Sequence, residues 1–140
     1  MTHIVIAKVF RKRGTTPTEF RNHYDNVHVP LLKSLTGDTF PLTHTRNYIH
    51  RVPATTEHSQ SASETTESFP AVQYRGEPED FAFDSLTVMV WESEEKFEAF
   101  VRVFLDEEVQ GKIIEDEKLF QDRSKKMSVA IKDAVVTGRE

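Results

Sequence analysis

Residues 3–31 read HIVIAKVFRKRGTTPTEFRNHYDNVHVPL, and a change of hydrophobic period within them decides the fold. From His3 to Phe10 the apolar residues Ile4, Val5, Ile6, Ala7, Val9 and Phe10 occupy both parities, the pattern of a strand covered on two faces. Gly14 and the Thr15-Thr16 pair break that pattern. Thr16-Pro17-Thr18-Glu19 then supplies a proline for the first helical position and a Thr-x-x-Glu capping box, which predicts a helix from Pro17. Phe20, Tyr24, Val27 and Leu31 form its apolar stripe. Pro30 has no N–H to donate, so the segment is expected to kink or end near Val29, with a bent turn closing at Gly37.

Downstream, Pro41 to Val52 alternates and places Leu42, His44, Arg46, Tyr48, His50 and Val52 on one side of a second strand. Thr55 to Ser68 holds eight Ser/Thr in 14 residues and no bulky apolar side chain, which predicts a flexible insert within about 53–80. Its far end, Phe69, Val72 and Tyr74, is expected to dock over a pocket as a lid, the alternative being a passive surface tail. Phe81 to Trp91 is a third strand, with Leu86, Val88 and Val90 at one parity and Phe83, Met89 and Trp91 at the other. Ser93 caps a helix carrying Phe97, Phe100, Val101 and Phe104. Asp106 to Asp122 reads as a further helix, interrupted around Gly111 and anchored by Ile113, Ile114, Leu119 and Phe120. Met127 to Val136 is a fourth strand. The order predicts an α+β, ferredoxin-like βαββαβ sandwich comprising one domain over residues 1–140. Two helices can cover only one sheet face, yet strands one, three and four carry apolar residues on both, so a homodimer packed sheet against sheet is expected, the alternative being an unusually apolar exposed sheet.

Composition narrows the chemistry. With no cysteine among 140 residues, thiol nucleophiles, disulfides and Cys-ligated metals are excluded. Eighteen Lys+Arg against 23 Asp+Glu give a net charge of -5, and the basic residues form no stripe, so nucleic acid is not an expected partner. No apolar run is long enough for a membrane span, no secretory pattern opens the chain, and a cytoplasmic protein without a membrane partner is expected. Five glycines form no phosphate-binding loop, so no nucleotide cofactor is expected.

On a helical wheel, His23 and His28 flank the apolar stripe of the first helix. A half-desolvated imidazole there suits proton transfer near neutral pH, and Asp25, three residues before His28, is expected to accept its second N–H. If the even positions of the second strand face this helix, His44, Tyr48 and His50 join His28 and Asp25 as candidate catalytic groups, with Tyr24, Arg46 and His23 as candidate substrate-binding groups. The alternative is an edge strand with a wet face. His28, His44 and His50 offer three nitrogens to a metal, but no ligand spacing fixes them, and neither metal nor cofactor is assigned. Asp116-Glu117 and Glu94-Glu95 read as solvated helix faces.

Phe20-x-x-x-Tyr24-x-x-x-His28-x-Pro30-Leu31 on a helix after the first strand resembles the signature of the EthD-domain family, as does Asp116-Glu117-x-x-Phe120 before the last strand. The resemblance implies a dimeric α+β barrel. It also implies a place among small barrels that, in fungal members, serve aromatic polyketide pathways as cofactor-free decarboxylases, dehydratases or cyclases. It carries over His28 as the motif histidine, with Pro30, Tyr24 and Asp25 beside it. The resulting expectation is a cofactor-free acid/base lyase, dehydratase or decarboxylase, on an aromatic or β-keto small molecule of secondary metabolism. A cyclase or isomerase, a non-catalytic binding barrel and an oxygen-dependent oxidase are the alternatives.

Overall fold

A computed structural model describes residues 1–53 and 69–140; the Thr55–Ser68 stretch read above as flexible lies outside the described residues. Strands β1 (His3–Val9), β2 (Thr43–Tyr48), β3 (Ser85–Trp91) and β4 (Met127–Ile131) form one antiparallel sheet in the order β2-β3-β1-β4. Helices α1 (Pro17–His23), α2 (Val29–Thr36), α3 (Glu94–Phe104) and α4 (Glu107–Phe120) complete the α+β fold that the alternation of periods predicts. Among the described residues, no helix is long and apolar enough to cross a membrane.

Register assigns the two faces of the sheet. His44–Met89–Val5, Arg46–Thr87–Ala7 and Tyr48–Ser85–Val9 are cross-strand rows on the face that meets the helices. Thr45–Val88–Ile6–Val129 and Thr43–Val90–Ile4–Ile131 are rows on the opposite face, because neighbouring positions along a strand point to opposite sides. Two packed clusters fill the helix side: Val5, Leu32, Trp91, Phe100 and Ile113, and next to them Val9, Phe20, Tyr24 and Phe120.

The capping box at α1 forms as predicted: the Glu19 amide donates to Thr16 Oγ1 at 3.1 Å and the Thr16 amide to Glu19 Oε1 at 2.8 Å. Pro30 neither ends nor sharply breaks the helix. Tyr24–His28 forms a π-helical turn in which the Val29 N–H reaches the Tyr24 carbonyl, and α2 resumes with Pro30 in its first turn, where a missing N–H is harmless. This wider turn also corrects the predicted stripe. The buried positions are Phe20, Tyr24, His28, Leu32 and Thr36, four residues apart throughout, whereas an α-helix drifts by about 40° every four residues. The π turn resets the drift, turning His28 inward and leaving Val27 46% exposed. Gly37 closes α2 with a positive φ of 57°.

Other expectations change at the ends. The helix through Gly111 is continuous, and Leu119, expected as an anchor, is exposed while Ile113 and Phe120 are buried. The second strand stops at Tyr48, before His50, and the fourth stops at Ile131. Beyond β2, Arg51 pairs with Ala71 in an isolated bridge, and its guanidinium donates to Asp84 Oδ1 at 2.7 Å and to the carbonyls of Phe69, Phe81 and Phe83. Tyr74, expected to dock over a pocket, is 98% exposed.

Candidate active site

Between the helix-facing side of the sheet and the helices lies a cavity of about 420 Å³. Leu32, Met89, Trp91, Phe97, Phe100 and Phe104 wall its apolar part, and His28, His44, Tyr24, Thr87, Glu117, Gln121 and Lys126 bring polar atoms to it. A mostly apolar recess with a few converging polar groups is the ordinary form of a small-molecule site.

His28 enters from the π turn and is 4% exposed. Its Nδ1 lies 2.9 Å from Asp116 Oδ2, so the carboxylate accepts the Nδ1–H and leaves the lone pair on Nε2. Burial pulls the His28 pKa below its ordinary 6.5, against the hydrogen bond to Asp116 and the charges of Glu117 and Asp116. A buried imidazole with a fixed tautomer and a free Nε2 lone pair is a neutral-pH base. His23 Nε2 sits 2.9 Å from the other oxygen, Asp116 Oδ1, and its ring stacks on Phe120 at 4.6 Å. His23 therefore braces Asp116 and does not line the cavity.

Asp116 and Glu117 correct the reading of a solvated helix face. They are 8% and 4% exposed. Glu117 receives Lys126 Nζ at 3.0 and 2.9 Å and Arg123 Nε at 2.9 Å, and its Oε2 lies 4.0 Å from His28 Nε2. Buried carboxylates survive only with partners of this kind.

Asp25, expected to orient His28, serves the second imidazole instead. It accepts Arg46 Nε at 2.7 Å and the Tyr48 hydroxyl. Burial works against the Asp25 carboxylate, but those two hydrogen bonds and the Arg46 charge outweigh it and hold its pKa below the usual range. Arg46 Nη1 in turn donates to His44 Nδ1 at 2.8 Å. Since arginine only donates, His44 Nδ1 accepts, and the imidazole proton resides on Nε2. Burial, with the neighbouring Arg46 charge, pushes the His44 pKa down to about 4, so His44 is a neutral donor at physiological pH. The Tyr24 ring stands edge-on to both imidazoles, at 5.8 Å from His28 and 5.9 Å from His44. Its hydroxyl is 2.8 Å from Thr87 Oγ1, and burial raises its pKa to about 12.

Of the residues singled out by sequence, the structure thus brings His28, His44 and Tyr24 to the cavity, with Asp25, Arg46 and His23 in supporting positions behind them. Tyr48 and His50 do not reach it. Tyr48 is bonded to Asp25, and burial and that carboxylate raise its pKa. His50 is exposed beyond the end of β2, and both line a separate groove of about 330 Å³ with Arg21 and Arg51. The three histidines considered for a metal therefore do not converge. Sequence reasoning missed Asp116, Glu117, Thr87, Gln121 and Lys126 as site residues. Only the Asp116-Glu117-x-x-Phe120 motif signalled any of them.

Several solved structures share this fold. An EthD-like protein from Ralstonia eutropha JMP134 matches with a TM-score of 0.52 at 16% identity, over 99% of this chain and 96% of its own. An ethyl tert-butyl ether D (EthD) family protein from Bacillus halodurans C-125 matches with a TM-score of 0.52 at 15% identity, over 96% of this chain and 100% of its own. At such identities the likeness concerns the fold alone. No curated protein matches the chain. The EthD domain model spans residues 12–124, from the turn after β1 through Asp116 and Glu117, and the chain belongs to the EthD-domain family.

Proposed function

We propose that the cavity is the active site of a cofactor-free acid/base lyase acting on an aromatic or β-keto small molecule of the polyketide type. The observation that carries this reading is the pairing of two neutral imidazoles with opposite fixed tautomers: His28, held by Asp116, presents a lone pair, and His44, held by Arg46, presents an N–H. In a dehydration, His28 Nε2 takes the proton from a carbon beside a carbonyl. The C–H electron pair moves into the enolate, whose oxygen accepts the His44 Nε2–H. The enolate expels the β-hydroxyl, which takes the proton back from His28 and leaves as water. His28 is unprotonated and able to accept a proton at neutral pH, which supports dehydration; decarboxylation of a β-keto acid draws on the same enolate contact at His44.

The experiment is incubation with aromatic β-hydroxy and β-keto acids, with mass analysis for loss of water or carbon dioxide. His28→Ala is expected to lower turnover by about 10²-fold or more, the usual yield of a positioned general base, with an unchanged folded spectrum. Full turnover by the variant would reject His28 as the base, and binding of these acids without any mass change would leave a binding barrel.

We also propose that two chains associate through the outer sheet faces. Ile4, Ile6, Leu86, Val88, Val90, Val129 and Ile131 share that face by register, Val129 is 60% exposed, and a two-fold partner offers the same apolar surface in return.

A further inference from the structure

Among the polar groups of the cavity that the proton chemistry does not use, Gln121 stands apart. Gln121 lines the cavity and is 6% exposed. Its carboxamide oxygen is buried and, among the described residues, accepts no hydrogen bond. The main chain that carries it is held in place. The Gln121 amide donates to the Glu117 carbonyl at 2.8 Å, and the flanking residues are tied to the end of β1 by Lys12 N to Phe120 O at 2.9 Å and Asp122 N to Phe10 O at 2.8 Å. Gln121 itself is bridged to Arg11, whose main chain and guanidinium are both held by Asp84. The nearby cations Lys126 and Arg123 bond Glu117. Buried acceptors without a donor are uncommon because they give up hydration for nothing, and the side chain that carries this one belongs to the wall of a cavity large enough for a ligand.

Resting on the reading of this cavity as the substrate site, we propose that Gln121 determines specificity: when substrate binds, its carboxamide turns the partnerless oxygen into the cavity, where it accepts a hydrogen bond from a hydroxyl carried by the substrate. The preferred ligand is accordingly a hydroxylated ring, a phenol or its enol equivalent, whose apolar remainder lies along Phe97, Phe100, Val101 and Phe104. Gln121 takes no part in the proton transfer. It reads a donor that an ether or unsubstituted ring lacks, and a site built around such a contact discriminates against the analogue without it.

Matched probes test this without knowledge of the natural substrate. 2-Naphthol and 2-methoxynaphthalene present the same rings with and without the donor, and their binding can be followed by calorimetry. The unmodified protein is expected to bind the naphthol about tenfold more tightly or better. In Gln121→Met, a side chain of similar length without the acceptor, the preference should shrink to about twofold while the ether binds no worse. His28→Ala should keep the preference, which separates donation to Gln121 from donation to the His28 lone pair. Equal binding by the unmodified protein, a preference for the ether, or a preference that survives in Gln121→Met would overturn the assignment while leaving the cavity as a binding site. Failure of both probes to bind the unmodified protein would overturn the cavity reading and Gln121 with it.

Discussion

His44 and His28 are both kept neutral by burial, and the sign of that effect on stability is fixed. In the unfolded chain each imidazole titrates near 6.5, whereas in the folded chain both pKa values are lower, that of His44 about 4. Folding therefore excludes protons between those values, and stability falls as pH drops through 6.5 toward 4. For His44 alone the loss between pH 7 and pH 4.5 is about 2 kcal/mol. Urea unfolding at the two pH values should show a loss smaller by that amount in His44→Gln, and identical pH slopes would mean that His44 is not desolvated as described. The kcat/KM profile should run level above neutrality and fall only below pH 6.5, where His28 protonates. Asp116→Asn removes the carboxylate that raises the His28 pKa and fixes its tautomer, so the His28 titration followed by NMR should move to lower pH and turnover should fall by about tenfold or more. His28 was legible in the sequence because its spacing from Tyr24 and Pro30 is local. Its true carboxylate was marked only by the resemblance of Asp116-Glu117-x-x-Phe120: Asp116 lies 88 positions away, and the charge pattern of its helix gives no sign of which carboxylates turn inward.

At the scale of elements, the π turn is the device that makes the site. Counting at the α-helical period puts Val27 in the core and His28 at its edge, and the one-residue widening at Tyr24–His28 reverses them. Composition carries no mark of such a turn, although Pro30 shows where the regular helix must yield. The even positions of β2 were readable as one face, yet His50 fell outside because the strand ends at Tyr48, where the chain turns toward Arg51. That exit is fastened by Asp84, which is 5% exposed and receives both Arg11 and Arg51. Asp84→Ala would strand two buried guanidinium groups, and a loss of about 3–5 kcal/mol is expected in denaturant unfolding. A change under 1 kcal/mol, the range of an exposed ion pair, would show that these groups are hydrated.

The two faces of the sheet differ. The helix-facing side carries the cavity, while the outer rows through Ile6 and Val88 are apolar and suited to a second copy. Light scattering should give twice the mass of one chain, and Val88→Asp, in a central strand, should give monomers that retain the folded spectrum; a monomeric unmodified protein would refute the pairing. The sequence foretold this two-sided sheet because strands with apolar residues at both parities need cover on both faces. Proton abstraction at the cavity is the claim on which the functional reading stands. It is tested most directly with 1-tetralone, an aromatic ketone that exchanges its C2 protons slowly, dissolved in D2O and followed by ¹H NMR. The protein should accelerate loss of the C2 proton signal, with His28→Ala slower by about 10²-fold or more. Equal exchange with the unmodified protein and with His28→Ala would contradict His28 as the base.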